Sequence, residues 1–284
     1  MRTAVCLAAL LVASGCVSVD ITERGFFPAR RAGTDREAVP GTVAAAFPGV
    51  TYEEQRIEAA DGTALYGALI RQPGADVTVL YFGTNESTVE QDGIETTRAF
   101  LPLGANVFLV DYRGYGWSDG RATLDLAFSD ALAAYDHLAA LPGVGRVVVH
   151  GLSLGSFMAG HVGARRPAAG VVLEGSATTV KEWANSRTPF YYKPFVRFRV
   201  EESLRGVDNR AEVRQIEEPL LLLVGSEDHT TPQVLSRRLY AASPLPESRK
   251  TLAVIEGGDH GNVIGQPTFA GVYRAFLDGV RAER

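Results

Sequence analysis

Six short runs of the chain are apolar almost without interruption: 77–82, 107–110, 147–149, 171–173, 220–224 and 252–255. Strands that do not alternate are buried on both faces, as parallel strands are when crossover helices cover them. Helical spacing lies between these runs. It is clearest over 124–141, where Leu124, Phe128, Ala131, Tyr135 and Leu138 recur at steps of four and three. Thr123 is placed as its N-cap and Pro142-Gly143 as its stop. A further helix is predicted over 268–280. Upstream, 55–59 and 65–70 flank Asp61-Gly62, the signature of a tight hairpin. The pattern therefore predicts an α/β fold, a mostly parallel, doubly wound sheet flanked by helices and opened by antiparallel strands.

Two stretches fall outside the alternation. Residues 17–47 follow no period, interrupted by Gly33, Pro40 and Gly41, and read as a partly extended tether. Residues 176–215 leave the sheet after one strand and return before the next, which predicts a small cap insertion. This insert carries Trp183, Phe190, Tyr191, Tyr192, Phe195 and Phe198 among Arg187, Lys193, Arg197 and Arg199. Three roles suit it: aromatics closing a cap by packing, acyl-chain binding beside an anionic membrane, or admission of acidic substrates. Packing is the commonest fate of such aromatics, and a packed cap can also gate a site.

Composition adds limits. The chain has 284 residues, 46% hydrophobic and 21% charged, enough to bury a full core. Its net charge of −5 gives no basic footprint for nucleic acid. Arg2, the apolar run 4–12 and the small residues up to Cys16 are too short for a membrane span and fit a cleavable leader over 1–15. Cys6 lies in that leader and Cys16 at its end, so no disulfide or cysteine-based zinc site is expected in the body. Neither a metal nor an organic cofactor is expected.

Candidate chemistry begins at 147–149, where the strand runs into His150-Gly151-Leu152-Ser153-Leu154-Gly155. Gly-x-Ser-x-Gly between a strand and a helix is how a nucleophile elbow is written in sequence. A sharp turn lifts Oγ clear of the sheet, and Gly151 and Gly155 make room for it. A serine nucleophile needs a base, an acid to orient that base, and donors for the oxyanion. On such a sheet these follow at later strand ends, in the order serine, acid, histidine. Asp228 follows 220–224 and His260 follows 252–255, which makes Ser153, Asp228 and His260 the candidate triad. Glu227 and Asp259 are rival acids, and His229 reads as a surface histidine. His137, His150 and His161 read as structural.

With these motifs the chain resembles the α/β-hydrolases over about residues 52–280. Asp111-Tyr112-Arg113-Gly114-Tyr115-Gly116-Trp117-Ser118 resembles a turn of the monoglyceride-lipase-like, serine-aminopeptidase-like and Bem46-like branch, and the loops around Asp228 and His260 resemble its acid and histidine loops. Asp111 and Arg113 are read as structural. Many relatives have His-Gly after the third strand, where this chain has Phe82-Gly83-Thr84-Asn85. By position, the N–H of Thr84 or Asn85, with Asn85 preferred, would join that of Leu154 as oxyanion donors. The leader resembles a bacterial lipoprotein signal, with Ala13 where leucine is commoner. That resemblance implies lipidation at Cys16, residues 16–50 as a lipidated tether, and a hydrolase domain over 51–284 held at a bacterial envelope membrane, with Val17 and Ser18 compatible with the outer membrane. A periplasmic or secreted protein is the alternative. The implied activity is serine-dependent cleavage of a small-molecule carboxylic ester. Amide or peptide cleavage, or a non-catalytic binding role in the envelope, are the alternatives on one scaffold.

Overall fold

The computed structural model describes residues 17–28 and 36–283; the expected leader and Cys16 lie outside the described residues. The strands are β1 (Val17–Ile21), β2 (Thr51–Glu58), β3 (Ala64–Arg71), β4 (Val77–Phe82), β5 (Ala105–Val110), β6 (Arg146–Leu152), β7 (Gly170–Glu174), β8 (Val196–Val200), β9 (Leu220–Gly225) and β10 (Lys250–Ile255). The helices are α1 (Glu23–Phe26), α2 (Val39–Ala46), α3 (Val89–Phe100), α4 (Leu124–Ala140), α5 (Leu154–Gly163), α6 (Val180–Ser186), α7 (Glu202–Arg205), α8 (Asn209–Val213), α9 (Gln233–Ala242) and α10 (Phe269–Ala282).

Eight strands form the main sheet in the order β10-β9-β7-β6-β4-β5-β3-β2. The pairs from β10 through β5 are parallel, while β2–β3 and β3–β5 are antiparallel. Five of the six non-alternating runs lie in interior strands of this sheet, and every residue of β4, β7 and β9 is buried. The sixth, 252–255, departs from expectation: it belongs to β10 at the sheet edge, where Leu252 and Ala253 are half-buried and Val254 is exposed because no further strand covers that side. One face packs against α4, α5 and α9, and the other against α2, α3 and α10. The best-patterned helix forms as the sequence implies. Leu124, Ala131, Tyr135 and Leu138 of α4 are buried, Thr123 caps it, and the chain is extended again at Leu141 before Pro142. At the hairpin Gly62 takes φ +82°, the left-handed region that glycine enters without strain.

The described parts of the segment expected as a tether, 17–28 and 36–47, contain regular structure. Val17–Ile21 pairs in parallel with β8 of the cap, Val17 opposite Val196 and Ile21 opposite Val200, as a separate two-stranded ribbon. Pro40 does not interrupt structure, because it lies in the first turn of α2, where its missing N–H would have had no helical partner. The cap also departs from expectation. Trp183 and Phe198 are half-buried, but Phe190, Tyr191, Tyr192 and Phe195 are exposed, so packing accounts for only part of the aromatic set. Among the described residues, no helix is long and apolar enough to cross a membrane.

Candidate active site

β6 ends at Leu152 and α5 begins at Leu154, leaving Ser153 alone in the turn. Its φ of 57° and ψ of −113° make it the one non-glycine residue with positive φ among those described. Two glycines allow the turn to close. A Cβ on Gly151 would lie 2.0 Å from the Gly155 carbonyl oxygen, and one on Gly155 would lie 2.0 Å from that of Phe82. The Ser153 N–H donates to the Glu174 carbonyl at 2.9 Å and that of Gly155 to Gly83 at 3.1 Å, tying the elbow to β7 and to the end of β4.

The loops after β9 and β10 bring the other candidates to this point. His260 Nε2 lies 2.8 Å from Ser153 Oγ, and His260 Nδ1 lies 2.9 Å from Asp228 Oδ2. Asp228 Oδ1 accepts the N–H groups of Thr230 and Thr231, each at 2.8 Å, and Oδ2 accepts the Thr231 hydroxyl at 2.7 Å. Burial alone would raise the pKa of this carboxyl. The hydrogen bond and charge of His260 and the donors of Thr231 outweigh burial and hold it below the usual carboxylate value. A carboxylate beside Nδ1 favours the tautomer with its proton on Nδ1, in which Nε2 is the acceptor that faces the serine hydroxyl.

Two residues that sequence reasoning did not single out complete this arrangement. Thr231 Oγ1 lies 3.1 Å from His260 Nδ1 while bonded to Asp228, so it touches both members of the pair. Gly175 has φ +50°, and a Cβ there would come within 3.2 Å of the imidazole. A Thr-Thr-Pro run after an acid and a glycine at a strand end were both visible in the sequence, but only the meeting of three loops gives them a place.

The rival residues are elsewhere. Glu227, His229 and Asp259 are exposed, and the Asp259 carboxylate accepts the Gly261 N–H. His137 bonds Gln55, His161 bonds Glu212, and the fully buried His150 lies 2.9 Å from Glu174. Asp111 accepts the N–H groups of Val89 and Trp117, and Arg113 is clasped by Asp130 and Asp61.

Of the candidate oxyanion donors, the Thr84 N–H donates to Ser87 Oγ at 2.8 Å, which commits it to its own turn. The Asn85 carbonyl accepts the Tyr115 hydroxyl at 3.1 Å, fixing the next peptide at the mouth of the cleft. Leu154 supplies a leading amide of α5, one of the N–H groups a helix cannot satisfy internally. Thr84, Asn85 and Leu154 all border a cleft of about 490 Å³ that also holds Ser153 and His260. Its apolar side is formed by Phe26, Phe157, Val180 and Trp183. Among the described residues no group of three His, Cys, Asp or Glu side chains could hold a metal ion.

Comparison with known proteins agrees with this architecture. Residues 78–208 match the family described as "Serine aminopeptidase, S33". The chain is 28% identical over 227 residues to the α/β-hydrolase domain-containing protein WAV2 of Arabidopsis thaliana, covering 74% of this chain and 72% of that one. It is 31% identical over 186 residues to the lysophosphatidylserine lipase ABHD12 of Macaca fascicularis, covering 60% of this chain and 46% of the lipase. Among solved structures, the esterase Pf2001 of Pyrococcus furiosus superposes with a TM-score of 0.69 at 20% identity, covering 88% of this chain and 97% of that one. Est1E from Butyrivibrio proteoclasticus gives 0.63 at 16% identity, covering 81% and 99%.

Proposed function

On the α/β-hydrolase fold that this chain has, we propose a serine hydrolase that cleaves carboxylic esters, with Ser153, His260 and Asp228 as its triad. The observation that carries the reading is the unbroken path from Ser153 Oγ to His260 at 2.8 Å and from His260 to Asp228 at 2.9 Å. Ser153 Oγ attacks the acyl carbon as its proton passes to His260 Nε2, and the carbonyl electron pair moves onto oxygen. The amides of Asn85 and Leu154 hold that oxyanion, with Thr84 shaping the turn that presents Asn85. Collapse expels the alkoxide, which leaves as the alcohol with the proton from His260. Water then attacks the acyl-enzyme by the same route, His260 again accepting a proton, and the acid is released. Asp228 stays ionised throughout and stabilises the imidazolium. The apolar side of the cleft suits the acyl or alcohol group.

The leader and Cys16 support a further part of the reading, a protein lipidated at Cys16 and held at a bacterial envelope membrane. The deciding experiment for the chemistry is hydrolysis of a p-nitrophenyl ester series from acetate to palmitate, with Ser153→Ala as control. Activity abolished in a folded Ser153→Ala variant is the expected result. Turnover that survives this substitution overturns the assignment, and a parent protein active on aminoacyl amides but on no ester moves the reaction to amide cleavage.

A further inference from the structure

Between Arg187 and Arg199 the chain holds four cations and no carboxylate, in a protein whose net charge is −5. Arg187, Lys193, Arg197 and Arg199 are all exposed. None of Lys193, Arg197 and Arg199 pairs with a carboxylate among the described residues. The aromatics between them are also outside the core. Phe190 is 81% exposed and Phe195 54%, and the rings of Phe190, Tyr191 and Tyr192 contact one another in sequence, with centroids 5.3 and 4.6 Å apart. Adjacent large rings left in water forgo the burial that keeps most such side chains inside a fold, and a contiguous patch of them marks a surface for contact.

The surroundings narrow the choice. The register of β1 on β8 puts Val17 beside Val196, so the end of the chain that follows Cys16 emerges next to Phe195. Val17 and Val19 add exposed apolar surface there, and Asp20 is the one carboxylate on the ribbon, opposite Arg199. On the other side the patch runs into the cleft, because Trp183 and Arg187 line the cleft and only Thr188 and Pro189 separate Arg187 from Phe190. Exposed aromatics interleaved along the chain with exposed cations match the interface of an anionic bilayer, where amphipathic rings sit at the headgroup level and basic side chains meet the lipid charge.

We infer that the turn 190–195 with the β1–β8 ribbon is a membrane-docking surface for anionic lipid, one that sets the mouth of the cleft against the bilayer. Docking itself requires no turnover. Its consequence, that an ester is taken up from the lipid layer, rests on the serine-hydrolase reading.

The test is co-sedimentation of the full chain, carrying Cys16→Ser so that no lipid anchor contributes, with vesicles of phosphatidylglycerol and phosphatidylcholine or of phosphatidylcholine alone. Two variants are compared with that parent: Lys193→Gln, Arg197→Gln and Arg199→Gln together, and Phe190→Ser, Tyr191→Ser and Phe195→Ser together. The parent binds the anionic vesicles, more weakly as salt rises. Each basic residue near such a surface contributes about fivefold, so the first variant, which removes three, loses about a hundredfold. The second loses about tenfold or more, through the apolar contact. Both retain parental turnover of a soluble acetate ester, since the altered groups are exposed and outside the cleft.

Absence of parent binding, or variants that bind as the parent does, overturns the proposal. Loss in the basic variant with none in the aromatic one also overturns it, and indicates an acidic macromolecule in place of lipid. Because binding is read without chemistry, an inactive parent that still docks would overturn the hydrolase reading alone. The chain with Cys16 restored, in the same assay, reads the anchor separately.

Discussion

Ser153 holds a backbone conformation that costs on the order of 1–3 kcal/mol and persists only because its surroundings over-determine it. Those surroundings are the closely approaching backbones at Gly151 and Gly155 and the N–H bond to Glu174, so the strain is distributed over β4, β6 and β7. Asp228 shows the opposite economy, a buried group satisfied by four donors. Asp228→Asn should leave the fold intact yet lower kcat by about 10³–10⁴-fold, because an amide no longer holds the imidazole proton on Nδ1. The same variant tests linkage. The folded-state pKa of Asp228 is depressed, so its stabilisation is complete above the ordinary carboxylate range and is lost as pH falls through the lowered folded value. Urea unfolding between about pH 7 and pH 3 should therefore show a shallower acid decline in Asp228→Asn than in the parent. An identical decline would mean that the carboxylate has no special stability in the folded state.

The elements meet at a second charged group, which serves the fold. Arg113, in the loop after β5, donates to Asp130 on α4 at 2.9 and 2.7 Å and to Asp61 in the β2–β3 turn at 2.6 Å, with Arg113 and Asp130 buried. Removing one partner of a buried pair leaves the other charge uncompensated at about 3–5 kcal/mol. Arg113→Leu should lower Tm by roughly 10 °C, at about 2–4 °C per kcal/mol for a chain of this size. Asp130→Leu added to it should restore most of the loss, and a calorimetric cycle in which the two changes simply add would sink this account. What was legible in sequence follows the same division. β4, β6, β7 and β9 were readable because strands buried on both faces need no alternation, and α4 because its stripe, cap and stop agree. Asn85 and Thr84 were both open as oxyanion donors, since only the bond from the Thr84 amide to Ser87 separates them. Thr231 and Gly175 were visible as a Thr-Thr-Pro run after an acid and a glycine at a strand end, but their places exist only where the β7, β9 and β10 loops converge.

At the scale of the whole molecule, Ser153, Asp228 and His260 all follow the C-terminal ends of parallel strands, β6, β9 and β10, while the cap supplies walls to the cleft. The cap is held down from far away in sequence. β1 pairs with β8, the Glu23 N–H donates to Glu201 at 2.6 Å, Glu23 Oε1 accepts the Leu124 N–H at the start of α4, and Phe26 packs edge-on against Trp183. No local pattern could reveal this strap. Val196-Arg197-Phe198-Arg199-Val200 alternates as a strand should, yet its partner lies at the opposite end of the chain, in a segment whose residues suggested a tether. An isolated pair of strands is marginal in water, so β8 alone has nothing to hold it extended. A chain lacking residues 1–22 should keep its far-UV spectrum and its acetate-ester kcat within about twofold, because the triad and its strands are untouched. Amide exchange over 196–200 should accelerate about tenfold or more, since those N–H groups lose their ladder partners. KM for bulky esters should rise with it as Trp183 and Arg187 lose their support. Unchanged exchange in β8 would mean that the cap holds its own shape, and the contacts of β1 would then serve only to position the end of the chain that follows Cys16.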